Sequence, residues 1–174
     1  MKSLVIRNGL IAGGILVLMM LVSMLLMSNQ QMDFKTGEVV GYVTMLLSLS
    51  MIFFGVRSYR EQEGGTISFG TAFKMGLLIA LIASALYVIG WMILSNFLAP
   101  DFGDQYYEYF IEQLRESGKP QAEIDATIAS YEQSKEMYKN PFFKMGITFL
   151  EIFPVGLLVA VVSALLLKRK PNEG

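Results

Sequence analysis

The 174-residue chain contains no cysteine and no histidine. Without thiols there is no disulfide framework, no thiolate nucleophile and no lipid-modified cysteine. Without imidazole, the usual zinc sites and histidine-ligated haem are excluded as well. Charge is scarce: Asp, Glu, Lys and Arg make up 17% of the residues, and the formal net charge is −1. So balanced a chain has no electrostatic footprint for nucleic acid. The sequence also lacks HExxH, GxSxG and Walker-type glycine patterns. With no histidine to move protons, the expectation is a protein that is not an enzyme and carries neither cofactor nor metal.

What the chain has instead is apolar length. Hydrophobic residues make up 53%, and the mean hydropathy is +0.49. They are gathered into four runs, residues 9–28, 39–56, 75–99 and 145–167, rather than spread at the spacing of a soluble core. A membrane-spanning helix needs about 20 largely apolar residues, and each run meets or approaches that. The expected fold class is therefore all-α: a polytopic membrane protein whose four transmembrane helices form one domain over residues 1–174. The first run is longer than the roughly 7–15 residues of a signal-peptide core, and no small-x-small cleavage site precedes Asn29, so it reads as a retained anchor.

Charge placement gives an orientation. Lys2, Arg7, Arg57, Arg60, Lys74, Lys168, Arg169 and Lys170 flank the ends of the runs on one side. The other side carries Lys35 and a long connection, residues 100–144, with nine acidic and five basic residues. The positive-inside rule then places both termini in the cytoplasm, in a bacterial inner membrane. Within the connection, Gly118-Lys119-Pro120 separates two stripes at helical spacing. They are Tyr107, Phe110, Ile111 and Leu114, and Ile124, Ile128, Tyr131 and Tyr138. Glycine stops a helix and proline starts one, so residues 104–139 are expected to form an extracytoplasmic αα-hairpin between spans three and four. Its charges suit either a solvated face or an extracytoplasmic protein partner.

Small residues show where helices can approach in lipid. Gly76, Ala80 and Ser84 share a face of the third span, and Gly156, Ala160 and Ala164 share a face of the fourth. These two faces are expected to pack together. Gly9/Gly13 and Gly37/Gly41 repeat the GxxxG spacing, which serves either a homo-oligomer contact or packing within the bundle. Met20, Met24 and Met27 also recur at helical spacing. With no histidine or cysteine to join them, they read as adaptable packing rather than a copper(I) site.

One residue breaks the apolar pattern. Glu151 is the only charge in Met145–Leu167 and lies roughly 10 Å along the helix from Lys144. A carboxyl group at such depth costs about 2.5–3.5 kcal/mol on insertion scales. Tyr42, Thr44 and Tyr87 lie at a similar depth and are candidate hydrogen-bond partners, and Pro154 loosens the helix one turn on. Two readings stay open. Glu151 is either a structural lock on the bundle or a proton- or cation-binding site in a small oligomeric transporter or channel.

Two stretches resemble a known family: Ile67–Gly76 leading into the span with Tyr87 and Trp91, and Phe149–Leu158 followed by Ser163–Lys170. They are similar to bacterial membrane proteins grouped as domain of unknown function 4199. The resemblance implies four membrane helices and an inner-membrane location, and it implies no activity. The overall expectation is a structural, scaffolding or accessory protein whose partners are the lipid bilayer and, through the hairpin or a GxxxG face, other protein.

Overall fold

The computed structural model describes residues 1–29 and 32–169; Lys170 and Glu173, which contribute to the tail charge, lie outside them. The described residues form seven α-helices: α1 Lys2–Ser28, α2 Phe34–Leu49, α3 Met51–Gln62, α4 Phe69–Ile93, α5 Phe102–Glu116, α6 Gln121–Tyr138 and α7 Pro141–Leu167. Among the described residues, four stretches are long and apolar enough to cross a membrane: Lys2–Ser28, Phe34–Gln62, Phe69–Leu98 and Pro141–Leu167. Each begins earlier than its apolar run, because polar residues carry the backbone hydrogen bonds past the apolar slab. Ser68 caps α4 by accepting from the Thr71 amide, and Asn140 caps α7 by accepting from the Phe142 amide at 2.9 Å. The second span is not one unbroken α-helix. It breaks at Ser50, whose hydroxyl donates back to the Leu47 carbonyl at 2.6 Å, a local bond that competes with the helical ladder.

The bundle is built on small side chains inside and large ones outside. A Cβ on Gly76 would lie 2.9 Å from the Ala160 Cβ, and one on Gly156 would lie 2.9 Å from the Ala80 Cβ. Helices α4 and α7 therefore run antiparallel in close contact, and Ala72, Ala80, Ser84, Ile152, Ala160 and Ala164 along them are buried. Helix α1 runs parallel to α4, with Gly9 against Ile82 and Gly13 against Leu86. That GxxxG face is filled from within the chain. Gly41, by contrast, meets nothing within 4 Å. Large residues point outward, Leu47 at 68% exposure and Leu166 at 69%. An apolar exterior this extensive is stable against hydrocarbon and not against water.

Two devices tie the ends. At the terminal end, Ile67 and Arg169 exchange backbone hydrogen bonds of 3.0 and 2.9 Å, joining the α3–α4 turn to the residues after α7. At the other end, α5 and α6 fold back on each other around residues 117–120, where Gly118 adopts φ +70°. Phe110 stacks on Tyr131 at 4.1 Å, and Lys135 pairs with Asp104.

The α4–α7 contact predicts opposite outcomes for two glycine substitutions. Gly76→Leu should destabilise the bundle by about 1–3 kcal/mol or more, since neither helix can move aside cheaply. Gly41→Ala should leave stability unchanged or raised. Thermal unfolding in detergent, followed by circular dichroism, compares them; equal melting temperatures would refute the close contact.

Candidate functional site

A group of polar and aromatic side chains converges where α4, α6 and α7 meet at the hairpin end. Helix α7 carries Lys144, Thr148 and Glu151 at intervals of four and three, which places them on one face. Helix α4 contributes Tyr87 and Trp91, one turn apart, before Leu94–Leu98 widens into a π-helix. Tyr138 arrives from the end of α6. The Trp91 indole donates to the Tyr138 hydroxyl at 2.7 Å, and the Ser95 hydroxyl donates to the Trp91 carbonyl at 2.6 Å. The Lys144 ammonium lies 5.9 Å from the Trp91 ring centre and 5.4 Å from that of Tyr138, within cation–π range of both. Thr148 is buried and donates to the Lys144 carbonyl at 2.8 Å.

Glu151 lies one turn further along α7. Its side chain is exposed. Among the described residues it makes no hydrogen bond and no ion pair. The Tyr87 hydroxyl lies within electrostatic reach of Glu151 on α7, Tyr138 on α6 and Tyr42 on α2. Tyr42, at 60% exposure, stands on the outer surface. Thr44 is buried, and among the described residues it makes no side-chain hydrogen bond to Glu151. Among the described residues, neither Tyr42 nor Tyr87 bonds the carboxyl. Pro154 is exposed on the same helix face as Leu150 and offers no N–H to the Leu150 carbonyl.

The helix-packing residues are brought together as two pairs, Gly76 with Ala160 and Ala80 with Gly156. In the same antiparallel register Ser84 falls opposite Ile152, and Ala164 opposite Ala72. The Ser84 hydroxyl is buried, with no hydrogen-bond partner among the described residues.

The hairpin is fastened through aromatic rings. Phe34, at the start of α2, has ring centres of Phe102, Tyr106 and Tyr109 within 5.6, 5.6 and 5.2 Å. Trp91 meets Phe102 edge-on at 5.7 Å, and the Tyr106 hydroxyl donates to the Glu38 carboxylate. Burial pushes the Tyr138 phenol up, with the Glu151 carboxylate adding to it and the Trp91 N–H and Thr148 hydroxyl opposing. Burial and the bond to Glu38 push the Tyr106 phenol up further. The exposed charges of the hairpin are partly neutralised in pairs such as Lys119–Glu123 and Lys139–Glu136. Among the described residues no cluster of three or more acidic side chains is arranged to hold a metal ion.

The residues that sequence reasoning left out of the site are Tyr138, Lys144 and Thr148. The last two were legible from their spacing with Glu151. Tyr138 reaches the site only because α6 folds back across the bundle.

Tyr138→Phe removes the acceptor of the Trp91 N–H and should cost about 1–2 kcal/mol. It should also alter the emission of Trp91, the chain's one tryptophan. A native spectrum together with a native melting curve would contradict this. The raised phenols also fix an alkaline limit. A phenol that holds its proton more tightly when folded gives stability that is full below the unfolded value near 10 and is lost as pH rises through the folded value. Melting temperature should therefore fall above about pH 10. The fall should be smaller in Tyr106→Phe; a pH-melting profile with the same slope in both proteins would refute it.

One family model, described as "Protein of unknown function (DUF4199)", matches residues 7–169. No curated protein and no solved structure matches the chain. The match spans all four membrane-length helices and the hairpin, and the chain belongs to this DUF4199 family of proteins of unknown function.

Proposed function

We propose that this is a non-enzymatic accessory or scaffolding protein of a bacterial inner membrane. Both termini are cytoplasmic, and the α5–α6 hairpin is presented to a protein partner on the opposite side. The observation that carries this reading is the fastening of the hairpin. Phe34 and Trp91 clamp both of its ends to the bundle, while its acidic outer face, including Glu112 and Glu116, stays exposed. A rigidly held charged surface suits recognition, because less ordering entropy is lost on binding. The excess of basic residues at the terminal end supports the orientation.

A second reading, a small oligomeric transporter or channel using Glu151 for a proton or cation, draws on the unpaired carboxyl. The α4–α7 seam is filled by side chains at 0% exposure, so a single bundle offers no path along that seam and transport would require several copies.

The absence of native cysteine makes the orientation directly measurable. Ser130→Cys on α6 should react with a membrane-impermeant maleimide in cells with a permeable outer layer and an intact inner membrane. Glu63→Cys should react only after lysis. The reverse pattern would invert the orientation. For the partner, photo-crosslinkers at Glu112 should capture a defined protein, and Phe34→Ala, which frees the hairpin, should abolish capture without loss of membrane insertion. No crosslinked species from the native hairpin would remove the scaffold reading.

A further inference from the structure

Lys144 is a half-buried ammonium without an anion, and it is the one basic residue of Pro141–Leu167. Its Nζ lies 5.9 Å from the Trp91 ring centre and 5.4 Å from that of Tyr138. Both distances are near the outer edge of the roughly 6 Å over which a ring attracts a cation. Such contacts draw on the charge and leave the N–H donors of the ammonium unused. Among the described residues Lys144 forms no ion pair and no side-chain hydrogen bond. The one carboxyl of α7, that of Glu151, is roughly 10 Å further along the helix axis. Glu136, before the α6–α7 turn, is held by Lys139 at 2.6 Å. A desolvated ammonium is costly unless an anion meets it.

The surroundings indicate where that anion comes from. Lys144 stands in the first turn of a membrane-length helix, where a lysine side chain reaches for the lipid head groups. Tryptophan and tyrosine, here Trp91 and Tyr138, favour the same layer. Ile147 and Leu150 follow Lys144 along α7 at intervals of three and are exposed, so apolar surface runs from the ammonium into the bilayer. Acyl chains can use that surface and a soluble anion cannot. A zwitterionic head would set a second cation beside Lys144, so a head of net negative charge is the complementary one. We propose that Lys144, framed by Trp91 and Tyr138, binds the phosphodiester of an anionic glycerophospholipid in the leaflet on the hairpin side. The acyl chains lie along Ile147 and Leu150. Trp91 belongs to α4, Tyr138 to α6 and Lys144 to α7, so the bound head helps to fasten the hairpin to the bundle.

Trp91, the chain's one tryptophan, reports on this site without a label. The full chain, in dodecyl maltoside, is titrated with dioctanoylphosphatidylglycerol. Dioctanoylphosphatidylcholine and dioctanoylglycerol serve as the zwitterionic and phosphate-free controls. Native protein should give a saturable change in Trp91 emission with phosphatidylglycerol, a weaker one with phosphatidylcholine and none with the diacylglycerol. Lys144→Gln should weaken the apparent affinity by about tenfold or more, as expected for loss of a charge-assisted hydrogen bond. Lys144→Arg, which keeps the charge, should retain it, and so should Lys74→Gln at the opposite end of α4. Should Lys144→Gln melt below the native protein, Lys144→Arg decides: retained binding supports the site and lost binding refutes it. Equal responses to all three lipids, unchanged affinity in Lys144→Gln, or an equal loss in Lys74→Gln would overturn the proposal. The same saturable change with inorganic phosphate alone would make this a site for a soluble anion, and the lipid assignment wrong. If native protein is dimeric in lipid-free micelles and Lys144→Gln monomeric, a second copy supplies the anion and the lipid site is likewise wrong. These outcomes are independent of hairpin capture, so they leave the scaffold reading untouched.

Discussion

The contact between α4 and α7 is the constraint on which the rest of the molecule depends. In hydrocarbon, burying apolar surface between helices gains little, because lipid tails are as apolar as leucine. Stability must come from close packing, and close packing requires that two backbones approach. Gly76 and Gly156 permit it, each facing an alanine of the opposite helix. Once these helices are locked antiparallel, the register places Trp91 near Lys144 and Tyr87 near Glu151. The geometry of the candidate site is thus a consequence of two missing side chains roughly one to four turns away.

That lock also explains the division of labour between the two ends. The terminal end is tight: α3 packs on α7, and the Ile67–Arg169 bridge joins neighbouring connections. At the hairpin end the side chains of Trp91, Tyr138 and Lys144 gather instead. A carboxyl group is tolerated there because it is not enclosed in the bundle. In the small-residue seam, where Ala80, Ser84 and Ala160 leave no free surface, it would have no room. The aromatic clamp around Phe34 and Trp91 then holds the hairpin across this end.

Many features were legible in the residues, for physical reasons. Hydrocarbon thickness sets the number of spans, so four apolar runs give four spanning helices. Small residues at every fourth position mark a face suited to close approach, whatever the partner helix. Gly118-Lys119-Pro120 can end one helix and begin another because of backbone freedom and ring geometry. The helix ends were less legible. Helix α2 begins at Phe34 rather than near residue 39, because a hydropathy run marks the apolar slab and not the hydrogen-bonded ladder. The break at Ser50 depends on one hydroxyl choosing a backbone acceptor.

The sequence by itself determined that this is an all-α membrane protein with one charged residue deep in its fourth span. Local composition and the length of each run suffice for that. Only the tertiary structure decided the surroundings of Glu151. It buried Thr44, turned Tyr42 to the outer surface, left the carboxyl without a hydrogen bond among the described residues, and brought Tyr138 in from the hairpin to Trp91. Side-chain neighbourhoods across helices follow from how each helix is rotated and tilted against the others. Those angles are set by packing among residues far apart in the chain, which no single stretch of sequence contains.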